Sequence, residues 1–405
     1  MSARDETDEQ FLARLLGGDF LLWSPNIQRE GFLHWDRIFA TRTIPRGVPK
    51  PLARRPEIDV TYVEGDQART TDDLMADEHV SGLLVVKDAE IVLERYAMGL
   101  TAEGLWQSSS MVKSLASCLV GAAIRDGLIE GVDDRIVRYL PDFAGTAYDE
   151  VTVRHLLTMS SGIDWSENTD DLRSDVAEHY IKVIAARERG AIAAYLKTRT
   201  LAVPPGTQYY YNTGDTFLLG LILRAVTGRT VSDYCAEKVW RPMGMEQNGF
   251  FMLESDDGDE VVGSCCGACL RDYARWGLFM LADGVVDGVR ILPEGWVQEA
   301  TSPVAPDFSF NFEGIRGLKT AATAAHRGYG FLWWVNWDGS YEALGSYGQW
   351  IHVSPVERLV VVILGAIPRV PYMDPGSPDA KGESSHLGSP RRSAFIDAVT
   401  RELRG

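Results

Sequence analysis

Residues 80–97 read VSGLLVVKDAEIVLERYA, and residues 110–128 read SMVKSLASCLVGAAIRDGL. The first stretch divides into two β runs, 81–86 and 90–96, joined by a turn at 87–89. Apolar and polar residues alternate in the second run, which argues for a hairpin. In the second stretch the period changes: Met111, Leu115, Cys118, Leu119 and Ala122 recur at helical spacing and Gly127 closes the run. A strand pair is therefore followed by an apolar helix that begins on a serine.

Working outward, helical signals dominate the middle of the chain, at 152–159, 175–197, 216–226 before Gly228, 231–239 and 268–282. Strand character returns at 329–336, 350–353 and the β-branched run 359–364, ahead of a last amphipathic helix over 391–403. Neither terminal set of strands makes a sheet alone, so the two are expected to pair with each other. The fold expected is α/β (α+β): an antiparallel sheet with flanking helices plus an inserted helical region, with a cleft where the two meet. The corresponding division puts 1–105 and 285–405 in the sheet region and 106–284 in the mostly helical region.

Composition bounds the function. The chain has 405 residues, 45% of them hydrophobic, and its 40 Lys+Arg against 57 Asp+Glu give a net charge of −17. That charge repels nucleic acid and anionic lipid surfaces, so neither is an expected partner. Residues 1–10 mix charges without an apolar run, and the longest apolar stretch, 359–367, is too short to span a bilayer, so a cytoplasmic protein is expected. Five cysteines without regular spacing do not make a disulfide framework. Cys265, Cys266 and Cys269 are close enough for a metal site, but no second CxxC or HxxxH accompanies them, and packing is the expected role. No phosphate loop, HExxH or Gly-x-Ser-x-Gly occurs.

Three motifs carry candidate chemistry. Ser110 and Lys113 are three residues apart at a helix start, so the lysine side chain can reach the serine hydroxyl. Burial can lower a lysine pKa until the amine accepts a proton, and a helix N-terminus offers N–H groups to an oxyanion. The loop Pro204-Pro205-Gly206-Thr207-Gln208-Tyr209-Tyr210-Tyr211-Asn212 precedes a helix. In extended backbone Tyr210 and Asn212 project the same way, placing a proton-shuttling phenol beside an orienting amide, although a Tyr cluster packed under the loop is the alternative. Finally Gly345-Ser346-Tyr347-Gly348-Gln349 either lets a strand edge approach a substrate, supplying a second oxyanion N–H, or simply eases a turn.

Together these motifs resemble the serine β-lactamase and penicillin-binding-protein-like hydrolase superfamily, in its class C-like branch. Ser110-x-x-Lys113 is similar to its first motif and Tyr210-x-Asn212 to its second. Similarity extends to 152–162, to Pro205-Gly206-Thr207, to Ala274-Arg275-Trp276-Gly277 and to Ile291-Leu292-Pro293. Residues 37–44 and the Gly348-Gln349 ending most resemble the 6-aminohexanoate-dimer hydrolase and esterase branch. One departure is informative: where a β-lactamase or D,D-peptidase carries Lys-Thr-Gly or His-Thr-Gly, this chain has Ser346-Tyr347-Gly348, and Lys319-Thr320-Ala321 is only a partial imitation upstream. The branch's lid-loop tyrosine falls near Thr169.

The resemblance implies a β-lactamase/transpeptidase-like fold and a serine hydrolase. Its substrates would be amides or esters of small, linear molecules, as in a 6-aminohexanoate-dimer hydrolase or a carboxylesterase, cleaved through an acyl-enzyme on Ser110. Lys113 and Tyr210 would take the serine proton, Asn212 would orient, and the N–H groups of Ser110 and of Ser346 or Tyr347 would hold the oxyanion. Gly345, Gly348, Gln349, Trp333 and Trp350 are candidate substrate contacts. So is the acidic loop with Asp164, Thr169, Asp170 and Asp171, which would favour an amine, although a solvated loop is its alternative. No metal or organic cofactor is expected, and a homodimer is compatible with the sequence. The rival readings are an acyltransferase or a β-lactamase/D,D-peptidase on the same site, or a non-catalytic acyl-binding protein.

Overall fold

The central sheet is assembled from both directions along the chain. Ala53–Arg54 (β1), Val80–Lys87 (β2) and Glu90–Tyr96 (β3) precede the helical middle. His326–Tyr329 (β4), Trp334–Asn336 (β5), Tyr341–Gly345 (β6), Gln349–Ser354 (β7) and Leu359–Gly365 (β8) follow it. The computed structural model describes residues 23–167, 173–184, 186–306, 326–368 and 389–404, and within these the strand order is β4-β5-β6-β7-β8-β2-β3-β1. Neighbours run antiparallel except β1, which pairs parallel to β3.

The seam between the two halves is β2 against β8, with Val85 opposite Val361 and Leu83 opposite Ile363. Every residue of β8 and all but the last of β2 are buried. That explains why these strands read as continuous β-branched runs: both faces are covered. Asp88 and Ala89 join β2 to β3 with left-handed φ values of 52° and 64°, the conformation a two-residue hairpin turn requires.

Four helices matter for the site: Val112–Arg125 (α1), Thr213–Thr227 (α2), Leu270–Leu281 (α3) and Pro390–Arg404 (α4). Helix α1 is buried from Val112 through Ala123 and lies between α2 and β6. Helix α3 packs on β7, β8 and β2, and comes so close that a Cβ on Gly277 would meet Val360 at 2.6 Å. A second, four-stranded sheet joins Thr41–Ile44, Gly249–Met252, Cys266–Ala268 and Trp106–Gln107 in that order. Its last strand feeds directly into the turn before α1.

Two sequence expectations fail for local reasons. The helix expected over 175–197 is broken into Asp175–Glu178, a π-helical stretch His179–Ile184 and a separate helix Ala191–Lys197. Gly190, at φ 79°, starts the last of these, a conformation that no continuing helix contains. The β element expected over 329–336 is two strands, because Leu332 turns the chain at φ 62°. Gly330 there sits 1.9 Å, measured from an added Cβ, from the Ala300 carbonyl. All five cysteines are reduced and buried, Cys266 within a strand and Cys118 within α1. Among the described residues no helix is long and apolar enough to cross a membrane.

Candidate active site

Ser110 lies in a single 3-10 turn, Ser109–Met111, that runs into α1. Ser109 takes a left-handed φ of 43°, a strained conformation for a non-glycine residue, and its N–H is held by the Gln107 side chain at 2.5 Å. The turn therefore presents Ser110, partly exposed, at the mouth of α1.

One helical turn further, Lys113 is 1% exposed. Its Nζ lies 2.9 Å from Ser110 Oγ and 3.1 Å from Thr213 Oγ1, and donates to the Gly263 carbonyl. These three acceptors satisfy an ammonium. The neutral amine can instead direct its lone pair at the Ser110 hydroxyl. Burial pulls the lysine pKa down to about 8, against the opposing charge of Glu167.

Tyr211, not Tyr210, faces this pair. Its ring sits over Lys113 Nζ at 5.1 Å from the centroid, with its hydroxyl beside Ser110. Burial pushes the Tyr211 phenol well above its ordinary value, with Glu167 adding to the effect, so it remains a proton donor. Trp334 stacks on Tyr211 at 6.0 Å and Tyr329 meets its edge at 6.3 Å, which fixes the ring. The correction is a one-residue frame shift. Successive side chains of an extended loop point to opposite sides, and Tyr210 takes the other one, anchored by its N–H on the Met159 carbonyl at 2.6 Å. Asn212 is likewise displaced from the expected role: it is the N-cap of α2, accepting the Asp215 N–H at 3.2 Å. The residue two beyond Tyr211, Thr213, meets Lys113 instead.

Glu167, in the acidic loop 164–171, is the carboxylate of that loop that reaches the site. It is buried, accepts from Trp165 Nε1 at 2.5 Å and from the Thr213 N–H at 3.1 Å, and takes the Thr213 hydroxyl proton. A chain of hydrogen bonds thus runs from Ser110 through Lys113 and Thr213 to Glu167. His179, fully buried nearby, is pulled down to about 3 by burial and by the Lys113 charge, which makes it a neutral ring rather than a base. Tyr180 donates to Ser264 Oγ at 2.9 Å beside it. Asp164 is exposed and its N–H bonds the Thr200 carbonyl. Thr169, Asp170 and Asp171 lie outside the described residues.

The third motif lies against the nucleophile turn. A Cβ on Gly345, at the end of β6, would stand 2.4 Å from the Ser108 carbonyl, so only glycine lets the strand reach it. Ser346 is exposed, whereas Tyr347, at φ 66°, is buried against Phe32. Gly348, at φ 92°, backs onto Arg392. Gln349 is completely buried, which removes it from the substrate contacts. Its Oε1 accepts from Trp106 Nε1 at 3.0 Å and from the Gly365 N–H at 3.1 Å. Its Nε2 donates to the carbonyls of Gly365 at 2.7 Å and Ser346 at 3.2 Å. Gln349 therefore ties the strand ahead of Ser110 to the motif loop. The two tryptophans expected at the substrate wall are elsewhere as well. Trp333 is core, edge-on to Tyr341 at 5.3 Å, and Trp350 faces His352 and Arg392 beneath α4.

With this geometry in view, comparison with known proteins is specific. Residues 68–369 match the Beta-lactamase family model. The chain is 27% identical over 291 residues to 6-aminohexanoate-dimer hydrolase of Paenarthrobacter ureafaciens, covering 70% of this chain and 72% of that one. Among solved structures it is similar to a putative 6-aminohexanoate-dimer hydrolase from Bacillus anthracis, with a TM-score of 0.75 at 20% identity over 100% of this chain and 98% of the other. A family VIII carboxylesterase gives a TM-score of 0.55 at 20% identity, covering 82% of this chain and 95% of its own.

Proposed function

The chain belongs to the β-lactamase family and is a serine hydrolase, and from that premise we propose that it cleaves small linear amides or esters through an acyl-enzyme on Ser110. The observation that carries the proposal is the Lys113 amine, 2.9 Å from Ser110 Oγ, buried and with its pKa brought down to about 8. Lys113 takes the serine proton as Oγ attacks the carbonyl. Backbone N–H groups of Ser110 and of the loop after Gly345 would hold the oxyanion, a reading supported by the close approach of Gly345 to the Ser108 carbonyl. Tyr211, protonated beside Ser110, passes a proton to the departing amine or alcohol, and the Lys113 ammonium returns the serine proton to the phenolate, so that the amine is neutral again. Water then enters along the same route in reverse, with Lys113 again as base.

A linear substrate is favoured over a β-lactam because the loop Gly345-Ser346-Tyr347-Gly348 brings no cation or imidazole of its own, and Tyr347 is turned into the core. A β-lactam carboxylate would lose a charge-assisted hydrogen bond, roughly 1.5 to 3 kcal/mol or about ten- to a hundredfold in kcat/KM. A neutral ester loses nothing. The test is labelling by a fluorophosphonate followed by intact-mass analysis, together with kcat/KM for a short p-nitrophenyl ester, a linear amide and a chromogenic cephalosporin. One adduct on Ser110, absent in Ser110→Ala, with ester or amide turnover above that of the cephalosporin, is the expected result. An unlabelled native protein, or a preferred cephalosporin, overturns it.

A further inference from the structure

On the sheet face away from Ser110, a cavity of 250 Å³ opens between β4–β7 and the first turns of α4. Three of its lining side chains are buried yet, among the described residues, leave a polar atom without a partner: Arg392 Nη1, Trp350 Nε1 and His352 Nε2, on residues 3%, 4% and 4% exposed. They are neighbours, for the Arg392 guanidinium carbon is 5.3 Å from the Trp350 ring centroid and the Trp350 and His352 rings are 5.6 Å apart.

The rest of each group is already fixed. Arg392 Nε pairs with Glu78 at 3.0 Å and its Nη2 donates to the Gly348 carbonyl at 3.3 Å, leaving Nη1 alone unengaged. His352 Nδ1 lies 2.9 Å from Glu342, which fixes the ring and leaves Nε2 facing the cavity. Glu342 in turn accepts from His326 at 3.1 Å and Asn336 at 3.0 Å. Burial opposes its ionisation, but the two histidine hydrogen bonds outweigh this and hold the carboxyl well below the usual range. Its oxygens are therefore engaged by its own partners. A buried donor without an acceptor costs stability, and two within one cavity, Arg392 Nη1 and Trp350 Nε1, define a place for an anion. The rim has the opposite sign. Asp338 and Asp397 line the same cavity, both are exposed, and among the described residues neither is ion-paired.

The geometry points to an accessory binding site, separate from the Ser110 cleft, for a small amino-acid-like zwitterion. Its carboxylate would sit on Arg392 and Trp350, and its ammonium would face Asp338 and Asp397. Donors in the floor and carboxylates at the rim of one cavity offer a partner to each end of such a molecule.

The test uses the full chain carrying Ser110→Ala, so that neither turnover nor the hydrolase reading enters the result. 5-Aminopentanoate, pentanoate and pentylamine are titrated by calorimetry. Saturable binding of 5-aminopentanoate, weaker binding of pentanoate and none of pentylamine is expected. Trp350→Phe keeps the ring but removes the N–H, and should weaken both carboxylates by about tenfold. Asp397→Asn, at the exposed rim, should weaken 5-aminopentanoate and leave pentanoate unchanged. Absence of saturable binding, or affinities that Trp350→Phe leaves intact, overturns the assignment, the second outcome placing the ligand elsewhere on the chain.

Discussion

The three tyrosines in a row, Tyr209, Tyr210 and Tyr211, show what a motif can and cannot settle at the scale of one residue. Ser110 and Lys113 were legible because i, i+3 spacing on a helix has only one outcome, and their 2.9 Å contact follows from it. The tyrosine was not, since which member of an extended run faces inward depends on where the loop is anchored, here by the Tyr210 N–H on Met159. Tyr211→Phe is therefore expected to lower kcat by about 10²- to 10⁴-fold, with Tyr210→Phe within a few-fold of wild type. Steady-state kinetics on one ester decide between the two, and the reverse ranking would restore Tyr210. Lys113 sets the pH profile. Only the neutral amine accepts a proton, so kcat/KM should climb about tenfold per pH unit on the acid side and level off above an apparent pKa of about 8. Lys113→Arg keeps the charge but cannot act as base, and it should be as inactive as Lys113→Ala across the whole range. A normally active arginine variant would make the lysine a structural partner only.

Elements with strong period were read correctly and those shaped by contact were not. The hairpin β2–β3 and helix α1 carry their pattern in sequence. No local pattern announces the strand Tyr341–Gly345 or the π-helical turn His179–Ile184, which begins on a buried imidazole. Gln349 is the instructive case, because a polar residue beside a catalytic glycine reads as a substrate contact, whereas here it bridges two elements. Gln349→Leu leaves the Trp106 N–H and both Gly365 polar groups without their partner, at about 1–3 kcal/mol for each group stranded. A melting temperature lower by about 5 °C or more, together with a fall in kcat larger than any change in KM, is the expected outcome. A variant that melts as wild type but binds substrate poorly would return Gln349 to the substrate wall.

At the scale of the whole molecule, the pairing of early with late strands was legible because neither set could bury its faces alone, and β2 against β8 is the result. Charge was legible too, though only as a bulk property. With 57 acidic and 40 basic residues the surface repels itself, a term that salt screens over about 10 Å at 0.1 M. Raising sodium chloride from 20 mM to 500 mM should therefore raise the melting temperature, as read by calorimetry. A fall would mean that attractive pairs, such as Arg42 with buried Glu260, dominate the electrostatics instead.

The brace from Gln349 to Trp106 also has a consequence in time. The nucleophile turn is synthesised long before Gly345 and Gln349, the residues that close it from the far end of the chain, and β8 comes later still. A growing chain therefore carries its serine and lysine exposed but unframed, with no second N–H for an oxyanion and no cover to lower the amine's pKa. On the proposed mechanism, reactivity is expected only once β6, β7 and β8 have been made and docked.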